Sequence, residues 1–328
     1  MAYTLSIRSA HDIPQQEWDS FIQASPEGSL YALYDYLSLV RQEWQAYVVM
    51  DEEGHWCAVM PYWKKKKWSF TSISQPLYTQ YWGICFRSFE EATRKAFQLK
   101  KEWMQLIIQQ MEGIHLFAMN FSPAFEYPIP FHWAGYEIHT RYTYHLDLSL
   151  SLTELKQGLS SNHKRKLKQA QKAGLERQSV KRSEHLLRLM ARNREQGHDI
   201  VGAGDASYEM LKKLTAYLLQ SQQGILLEVM TPEKEVIAVG LFAIYQNKYL
   251  YLAGCQHPDH RQLGAQAFMI WEAIRQAKHS GAKIFDFEGS MLEGVEEFFR
   301  KFGAQPVPYL QIRRNRLPLP LRWIHGLR

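Results

Sequence analysis

A dense run of basic residues is the first chemical signal in this sequence. Between Ser161 and Arg182 there are eight Lys or Arg residues and one acid, Glu176, so this segment accounts for the net charge of +6 that the chain carries. An unpaired field of this size attracts phosphate groups, which indicates a nucleotide-type cofactor, RNA or a lipid surface as the ligand. A solvated helix face that keeps the protein soluble explains the same residues equally well.

A glycine at the start of a predicted helix is the second signal. The segment from Arg261 to Ala267 directly follows a predicted strand, and Gly264 lies in its middle. Glycine lets the backbone approach a ligand closely, and the exposed N–H groups of a helix N-terminus bind pyrophosphate. This turn is therefore a candidate phosphate-binding turn.

Several common catalytic motifs are absent. The sequence has no P-loop, no Gly-x-Gly-x-x-Gly after a strand, no Gly-x-Ser-x-Gly elbow, no His-Glu-x-x-His and no Cys-x-x-Cys, and Gly202 and Gly204 belong to a polar loop. His257 and His260 lie close together, but a loop interrupted by proline and lacking a third ligand is a poor zinc site, so we expect no metal. No neighbour of Cys255 marks an activated thiolate.

The elements that must position these residues occur in the same order twice. In the first half the predicted elements are a helical region at Glu17–Gln42, strands at Ala46–Met50, Trp56–Trp63 and Trp68–Ile73, a helix at 88–110, and strands at His115–Asn120 and Glu137–Asp147. In the second half they are helices at 152–173, 184–194 and 206–220, strands at Ile225–Met230, Val236–Tyr245 and Lys248–Ala253, a helix from about Leu263, a strand at Ala282–Phe287, a short helix and a strand at Val307–Ile312.

A meander followed by helix, strand, helix and strand thus repeats after roughly half of the chain. A long helix after each meander predicts that the next strand joins its sheet in parallel. We therefore predict an α/β protein with two mixed sheets, formed by two tandem domains at 1–150 and 151–312. Lys64–Lys67 lies between two strands, where a hairpin tip or sheet edge needs charge against aggregation.

Composition agrees with two globular domains. The chain has 328 residues, of which 46% are hydrophobic and 22% charged. No apolar run approaches the roughly 18 residues of a membrane-spanning helix, and the N-terminus lacks the pattern of a secretory signal. Three cysteines are too few for a disulfide framework. We expect a soluble, cytoplasmic protein without membrane insertion.

Several segments together resemble the FemAB-like proteins of the GNAT acyltransferase superfamily. The turn at Arg261–Ala267 is similar to a degenerate acyl-CoA-binding turn, Arg/Gln-x-x-Gly-x-Gly/Ala, with Gln266 in place of the second small residue. The segments that resemble FemAB-like proteins are the basic helix at Asn162–Leu175, the closing segments at Gly281–Ser290 and Gly294–Gly303, and the loop at Pro76–Gly83. The resemblance implies two tandem GNAT-like domains, with a tail from about residue 313 that packs on the first.

The resemblance also implies a choice between donors. FemAB proteins transfer amino acids from aminoacyl-tRNA to peptidoglycan precursors, while other relatives use acyl-CoA. The aminoacyl-transferring branch has Phe-Lys-x-x-Phe on its closing helix, but here Phe299 stands at the position of the lysine, and Lys301 projects differently. We therefore expect transfer from acyl-CoA to an amine or hydroxyl acceptor. An aminoacyl-tRNA-dependent ligase and a non-catalytic binding module are the alternatives.

The catalytic residues that the resemblance implies lie in the second half. A backbone N–H near Leu252–Gly254 would donate to the oxyanion. Asp286 and Glu288 alternate along the last strand, and Glu288 is the candidate base or the partner of the acceptor amine. Asp286 is more typical of a residue that hydrogen-bonds the backbone at a strand end. Tyr251 would donate to the leaving thiolate, or else pack on the sheet.

The resemblance also implies which residues bind the substrates. Gly254 and the turn residues Arg261, Gly264 and Ala265 would contact the acyl-CoA. The predicted substrate-binding residues, which would contact phosphates of the acceptor or the donor, are His163, Lys164 and Arg165. A solvated helix face remains the alternative for these three.

Overall fold

The computed structural model describes residues 2–90, 93–195, 205–289 and 291–318. Its contacts divide the chain into two compact units, of which the first comprises Met1–Arg141 with Pro308–Arg328 and the second comprises Tyr142–Val307. None of the helices in these described ranges is long and apolar enough to cross a membrane. Gly202, Gly204 and the tail beyond residue 318, all of which entered the sequence analysis, lie outside the described residues.

The first part of the chain alternates helices with short strands. Its elements are β1 (Thr4–Ser9), α1 (Gln15–Ala24), α2 (Tyr34–Val40), β2 (Gln45–Met50), β3 (Trp56–Tyr62), β4 (Lys64–Lys67), β5 (Phe70–Ser74), β6 (Cys85–Phe86), α3 (Arg94–Gln110), β7 (Leu116–Asn120), α4 (Ile129–Trp133) and β8 (Glu137–Asp147). The second part follows with α5 (Leu152–Gly158), α6 (Ser161–Lys172), β9 (Glu176–Val180), α7 (Glu184–Glu195), α8 (Asp205–Gln220), β10 (Gly224–Met230), β11 (Val236–Tyr245), β12 (Lys248–Gln256), α9 (Ala265–His279), β13 (Ile284–Asp286), α10 (Glu293–Arg300) and β14 (Gln305–Asn315).

In the first unit one sheet has the order β1-β2-β3-β6, and a second group of strands has the order β4-β5-β7-β14. β5 and β7 pair in parallel across the long helix α3, as the crossover rule predicts. The four lysines Lys64–Lys67 are all exposed and form the outer strand of their group. The predicted edge role of these lysines is confirmed.

The second unit is built on strands in the order β8-β13-β12-β11-β10-β9. Its β12 and β13 are parallel, which confirms the predicted crossover through α9, and the other pairs are antiparallel. Helix α9 packs on β10, β11 and β12, and its buried face includes Met269, Ile270 and Ile274. The elements predicted after the basic segment are confirmed within a few residues.

Two features of the second unit differ from the sequence prediction. The helix predicted over 152–173 is broken, because Leu159 and Ser160 adopt extended backbone and the Ser160 side chain accepts from the N–H of His163 to begin α6. Strand β9 was missed. Its residues Glu176–Val180 are mostly charged or polar and pair only with β10, so the segment shows little of the hydrophobic alternation typical of a strand.

Candidate active site

The neighbouring strands β12 and β13 separate partway along β12. Their parallel pairing covers only Lys248–Leu250 opposite Ile284–Asp286, whereas β12 continues to Gln256. On the other side of β12, Phe242 pairs with Tyr251 and Leu241 pairs with Ala253. Leu252 is therefore an extra residue, a β-bulge that leaves its backbone outside the regular ladder. The stretch of β12 beyond Leu250 thus has no parallel partner in β13, and this unpaired stretch, called the gap below, lies beside a bulge at the position predicted for the oxyanion donor.

Tyr251 lies at the start of this gap. Its side chain is buried, stacks on Phe242 at 5.2 Å between ring centroids and meets the edge of Phe299 at 6.1 Å. A Cβ on Gly254 would collide with the Tyr251 hydroxyl, so glycine at this position makes room for the ring. Burial raises the pKa of Tyr251 above its ordinary range, so the hydroxyl keeps its proton.

Glu288 lies just beyond the end of β13. The strand ends at Asp286, and Glu288 has a left-handed φ of +59°, so the alternation expected of extended chain does not extend to Glu288. The residue as a whole is partly accessible, but its carboxylate oxygen Oε1 is shielded from solvent. Burial raises the pKa of Glu288 well above its ordinary range. A left-handed backbone and a desolvated carboxyl group both cost free energy. Residues with such features are concentrated at functional sites.

Asp286 is part of a buried network and holds the end of β13. Its Oδ1 accepts from the hydroxyl of Thr143 at 2.5 Å and from the backbone N–H of Glu288 at 2.8 Å. The Nε2 atom of His145 lies 3.1 Å from Oδ2. The structure therefore places Asp286 where it fixes the backbone that carries Glu288, which is the alternative interpretation that the sequence favoured.

The turn before α9 contains the predicted cofactor residues. Gly264 has φ +74° and is the N-cap residue of α9, whose start has no side-chain cap. A Cβ on Gly264 would lie 2.6 Å from the carbonyl oxygen of Lys166, so the backbone that approaches this glycine closely belongs to α6. Arg261 is exposed on the turn, while Ala265 is fully buried.

Gln266 connects this turn to the strand gap. Its side-chain amide donates to the Tyr251 hydroxyl at 3.4 Å. The sequence marked Gln266 only as a departure from the cofactor-turn pattern and did not predict this contact. A polar residue in place of a small one was the available signal, but its partner lies fifteen positions earlier and becomes apparent only in the fold.

The basic helix α6 divides the three predicted phosphate-binding residues. His163 is 1% exposed, its Nε2 lies 3.1 Å from the carbonyl oxygen of Phe298, and its ring packs against Phe302 at 4.3 Å. Lys164 and Arg165 are exposed. Because His163 is enclosed by aromatic rings, the structure supports packing for this residue, and phosphate contact stays a prediction for Lys164 and Arg165.

The closing helix α10 places an aromatic ring, and no lysine, toward the gap. Phe299 is 6% exposed and packs on Phe287 at 5.1 Å as well as on Tyr251. Lys301 pairs with Glu297 at 2.9 Å on the same helix. The described part of the helix therefore has no lysine at the position where the aminoacyl-transferring branch has one.

An acyl-CoA fits the residues around the gap in three respects. The N-terminus of α9 offers backbone N–H groups without a side-chain cap, and Arg261 is accessible beside it. The separation of β12 from β13 gives an extended group a strand edge to follow. The Gln266 side chain and the buried Tyr251 ring that it contacts lie across this path.

Comparison with known proteins gives one family match and several structural matches. Residues 158–300 match the family model described as an acetyltransferase (GNAT) domain. A crystal structure of FemX has a TM-score of 0.69 at 14% identity, covering 99% of both chains. The structure of L-PGS from Bacillus licheniformis has a TM-score of 0.55 at 13% identity, covering 95% of both chains.

A tandem GNAT protein from the clavulanic acid biosynthesis pathway has a TM-score of 0.55 at 9% identity, covering 96% of this chain and 99% of that one. No match was found among curated proteins. The predicted α/β class and tandem GNAT-like architecture are confirmed. At these identities the structural matches establish the fold and leave donor and acceptor open.

Proposed function

Because residues 158–300 match a GNAT acetyltransferase domain, we propose that this chain is an acyltransferase that passes an acyl group from acyl-CoA to an amine or hydroxyl acceptor. The observation that carries the proposal is the gap between β12 and β13, with the bulge at Leu252 on one side and the desolvated carboxyl group of Glu288 on the other strand end. Held in such a gap, donor and acceptor gain from proximity and orientation.

Each residue of the site has a chemical role in this proposal. A bound acyl-CoA supplies a thioester carbonyl that an amine or hydroxyl can attack. Backbone N–H groups at Leu252–Gly254 donate to the oxygen that becomes negative during attack. Glu288 accepts the proton that the attacking group loses, and the Tyr251 hydroxyl donates to the departing sulfur. Asp286 positions Glu288 by accepting a hydrogen bond from the backbone N–H of Glu288.

The raised pKa of Glu288 suits this role. A general base is most effective when its pKa lies near the working pH, and burial moves the pKa of Glu288 upward from the ordinary carboxyl range. The deprotonated fraction grows as pH rises, so activity should increase with pH through this ionisation. Exposed Lys164 and Arg165 favour an acceptor or donor with phosphate groups, such as a nucleotide-linked amino sugar or a cell-envelope precursor.

A second candidate is aminoacyl transfer from tRNA to a peptidoglycan precursor. Two observations favour it, the similarity to FemX along 99% of both chains and the basic helix α6. The buried ring of Phe299 argues against it, because the lysine of that branch is absent at this position. A third candidate is a GNAT-like module that binds its ligand without chemistry.

The test measures thiol release from a panel of acyl-CoA donors, with and without amine acceptors, for the wild-type chain and two variants. Glu288→Gln removes the base with little change in side-chain shape and should lower kcat by about 100-fold to 10,000-fold. The decrease in rate at low pH that the wild type shows should be absent in this variant. Glu297→Gln, a surface glutamate that pairs with Lys301, is the matched control and should retain activity.

The other outcomes separate the three candidates. Turnover that requires charged tRNA and is abolished by ribonuclease would show that the donor is aminoacyl-tRNA and not acyl-CoA. Binding of acyl-CoA without turnover, unchanged in Glu288→Gln, would favour the binding module. Equal turnover in Glu288→Gln and wild type would refute the proposed role of Glu288.

A further inference from the structure

The loop between β12 and α9 contains two histidines that face a glutamate from another strand connection. His257 and His260 lie in this loop, and Glu235 directly precedes β11. One ligand atom from each residue lies within 4.8 Å of the other two. Glu235 is more than twenty positions from the histidines in sequence, so the third ligand is visible only in the fold. This cluster takes no part in the proposed acyl transfer.

We propose that Glu235, His257 and His260 form a binding site for a divalent transition metal of the zinc class. His260 Nε2 lies 3.4 Å from Glu235 Oε2, and His257 Nε2 lies 3.9 Å from Glu235 Oε1. With zinc bonds of roughly 2.0–2.2 Å, two ligand atoms of a tetrahedral site are separated by about 3.4 Å. The two histidines therefore lie at nearly tetrahedral separations from Glu235, and side-chain adjustment would bring the third pair, within 4.8 Å, to the same separation.

The ligand types favour zinc over the hard cations. Two imidazole nitrogens and one carboxylate oxygen are a ligand set that zinc uses with a water molecule in the fourth position, whereas calcium and magnesium prefer oxygen ligands. Glu235 is exposed and His260 is partly accessible, so the metal has a route from solvent. The site has the ligand number and entry path that zinc binding requires.

His257 is the buried ligand of the three, and zinc binding at its Nε2 requires a change of tautomer. The side chain is 5% exposed, and its Nδ1 accepts from the backbone N–H of Asp259 at 3.2 Å. With Nδ1 as acceptor, the proton of the neutral ring lies on Nε2, so zinc binding at Nε2 requires the proton to move to Nδ1 and the bond from the Asp259 N–H to be given up. The Asp259 carboxylate oxygen Oδ2, now 3.9 Å from Nδ1, would then be the acceptor for that proton, and a carboxylate in this position orients metal-binding histidines.

The site would join two connections at one end of the sheet. Glu235 ends the turn between β10 and β11, and the histidines belong to the loop that leads through Arg261 to Gly264. The histidine loop is already attached to the start of β11 by the hydrogen bond from the N–H of His257 to the carbonyl of Ile237 at 2.7 Å. Metal binding to the folded state alone would stabilise the second unit by mass action.

The test uses the full chain after chelator treatment and dialysis. Zinc is titrated against a competing chromophoric chelator, and cobalt is added separately to observe the visible absorption of a tetrahedral site. Glu235→Gln and His260→Ala each remove an accessible ligand. Because loss of a residue that only supports a metal ligand already weakens metal affinity by about 10-fold or more, each variant should weaken zinc binding by at least about 10-fold. His257 is left intact because it is buried.

The matched control is His139→Ala in the first unit. His139 also lies close to a glutamate, Glu137 at 3.3 Å, but no third ligand accompanies the pair among the described residues. We expect one zinc ion per chain, a zinc-dependent rise in melting temperature in wild type and His139→Ala, and loss of that rise in the two ligand variants. Absence of stoichiometric binding, or equal binding by Glu235→Gln and wild type, would overturn the proposal.

Discussion

We expect the buried histidine His163 to make the stability of the second unit depend on pH. Its Nε2 faces the carbonyl oxygen of Phe298 and therefore carries the proton of the neutral ring. Protonation would place a second proton on Nδ1, which is buried and has no hydrogen-bond partner among the described residues. Burial, together with the nearby Lys166, lowers the pKa of His163 from 6.5 to about 4.

The sign of the effect follows from linkage. Between pH 6.5 and pH 4 the unfolded chain binds a proton at His163 that the folded chain does not, so stability falls as pH falls through this window. One pKa unit corresponds to about 1.4 kcal/mol, so the whole shift amounts to about 3 kcal/mol, of which about 2 kcal/mol is lost between pH 7 and pH 4.5. Little further loss from His163 is expected below pH 4.

The replacement His163→Gln tests this quantity. Glutamine keeps a side-chain N–H that can reach the carbonyl of Phe298 and cannot take up a proton. Urea unfolding at pH 7 and pH 4.5 should show that the wild type loses about 2 kcal/mol more than His163→Gln. His279→Gln, at an exposed position on α9, is the control and should show the wild-type loss.

Two results would refute the reasoning about His163. One is an equal loss of stability in wild type and His163→Gln between pH 7 and pH 4.5. The other is a ring titration of His163, followed by NMR, with its midpoint near 6.5. Either result would mean that the ring accepts a proton in the folded chain without the cost that its burial implies.

Further predictions concern packing near the gap. Gly264→Ala should destabilise the chain by more than about 1–2 kcal/mol in thermal or urea unfolding, because a left-handed backbone and the carbonyl of Lys166 both oppose a Cβ. Gly281 has φ +84° and no atom within 4 Å of an added Cβ, so Gly281→Ala should lose only the stability that the left-handed backbone costs alanine. Equal losses of stability in Gly264→Ala and Gly281→Ala would contradict the contact with Lys166. Phe299→Ala should cost about 3–5 kcal/mol, and the partly buried Phe298→Ala less; the reverse order would contradict the placement of Phe299 against Tyr251.

Features set by local patterns were predictable from the sequence. The hydrophobic spacing of α9, the turns between β10, β11 and β12, and the long helix between parallel strands all involve nearby residues. The order of these elements was sufficient to predict a duplicated α/β module. Gly174 and Gly281 follow α6 and α9, and their φ of +63° and +84° are the left-handed values that favour glycine at helix ends.

Features set by distant partners were not predictable in the same way. His163 occurs in a basic segment typical of a solvated face, and it is buried because Phe298 and Phe302 come from α10. Gly264 was expected to admit a ligand, but the carbonyl of Lys166 approaches it. The carboxylate of Glu235 reaches the two loop histidines only through the pairing of β10, β11 and β12. In each case the partner is remote in sequence.

The most direct test of the central proposal is a structure determined after soaking with coenzyme A. We predict density along β12 beyond Leu250, with the phosphates at the N-terminus of α9 beside Arg261. Coenzyme A bound elsewhere on the chain, or a gap still filled by Tyr251 and Gln266 at saturating concentration, would contradict the proposed acyl-CoA site.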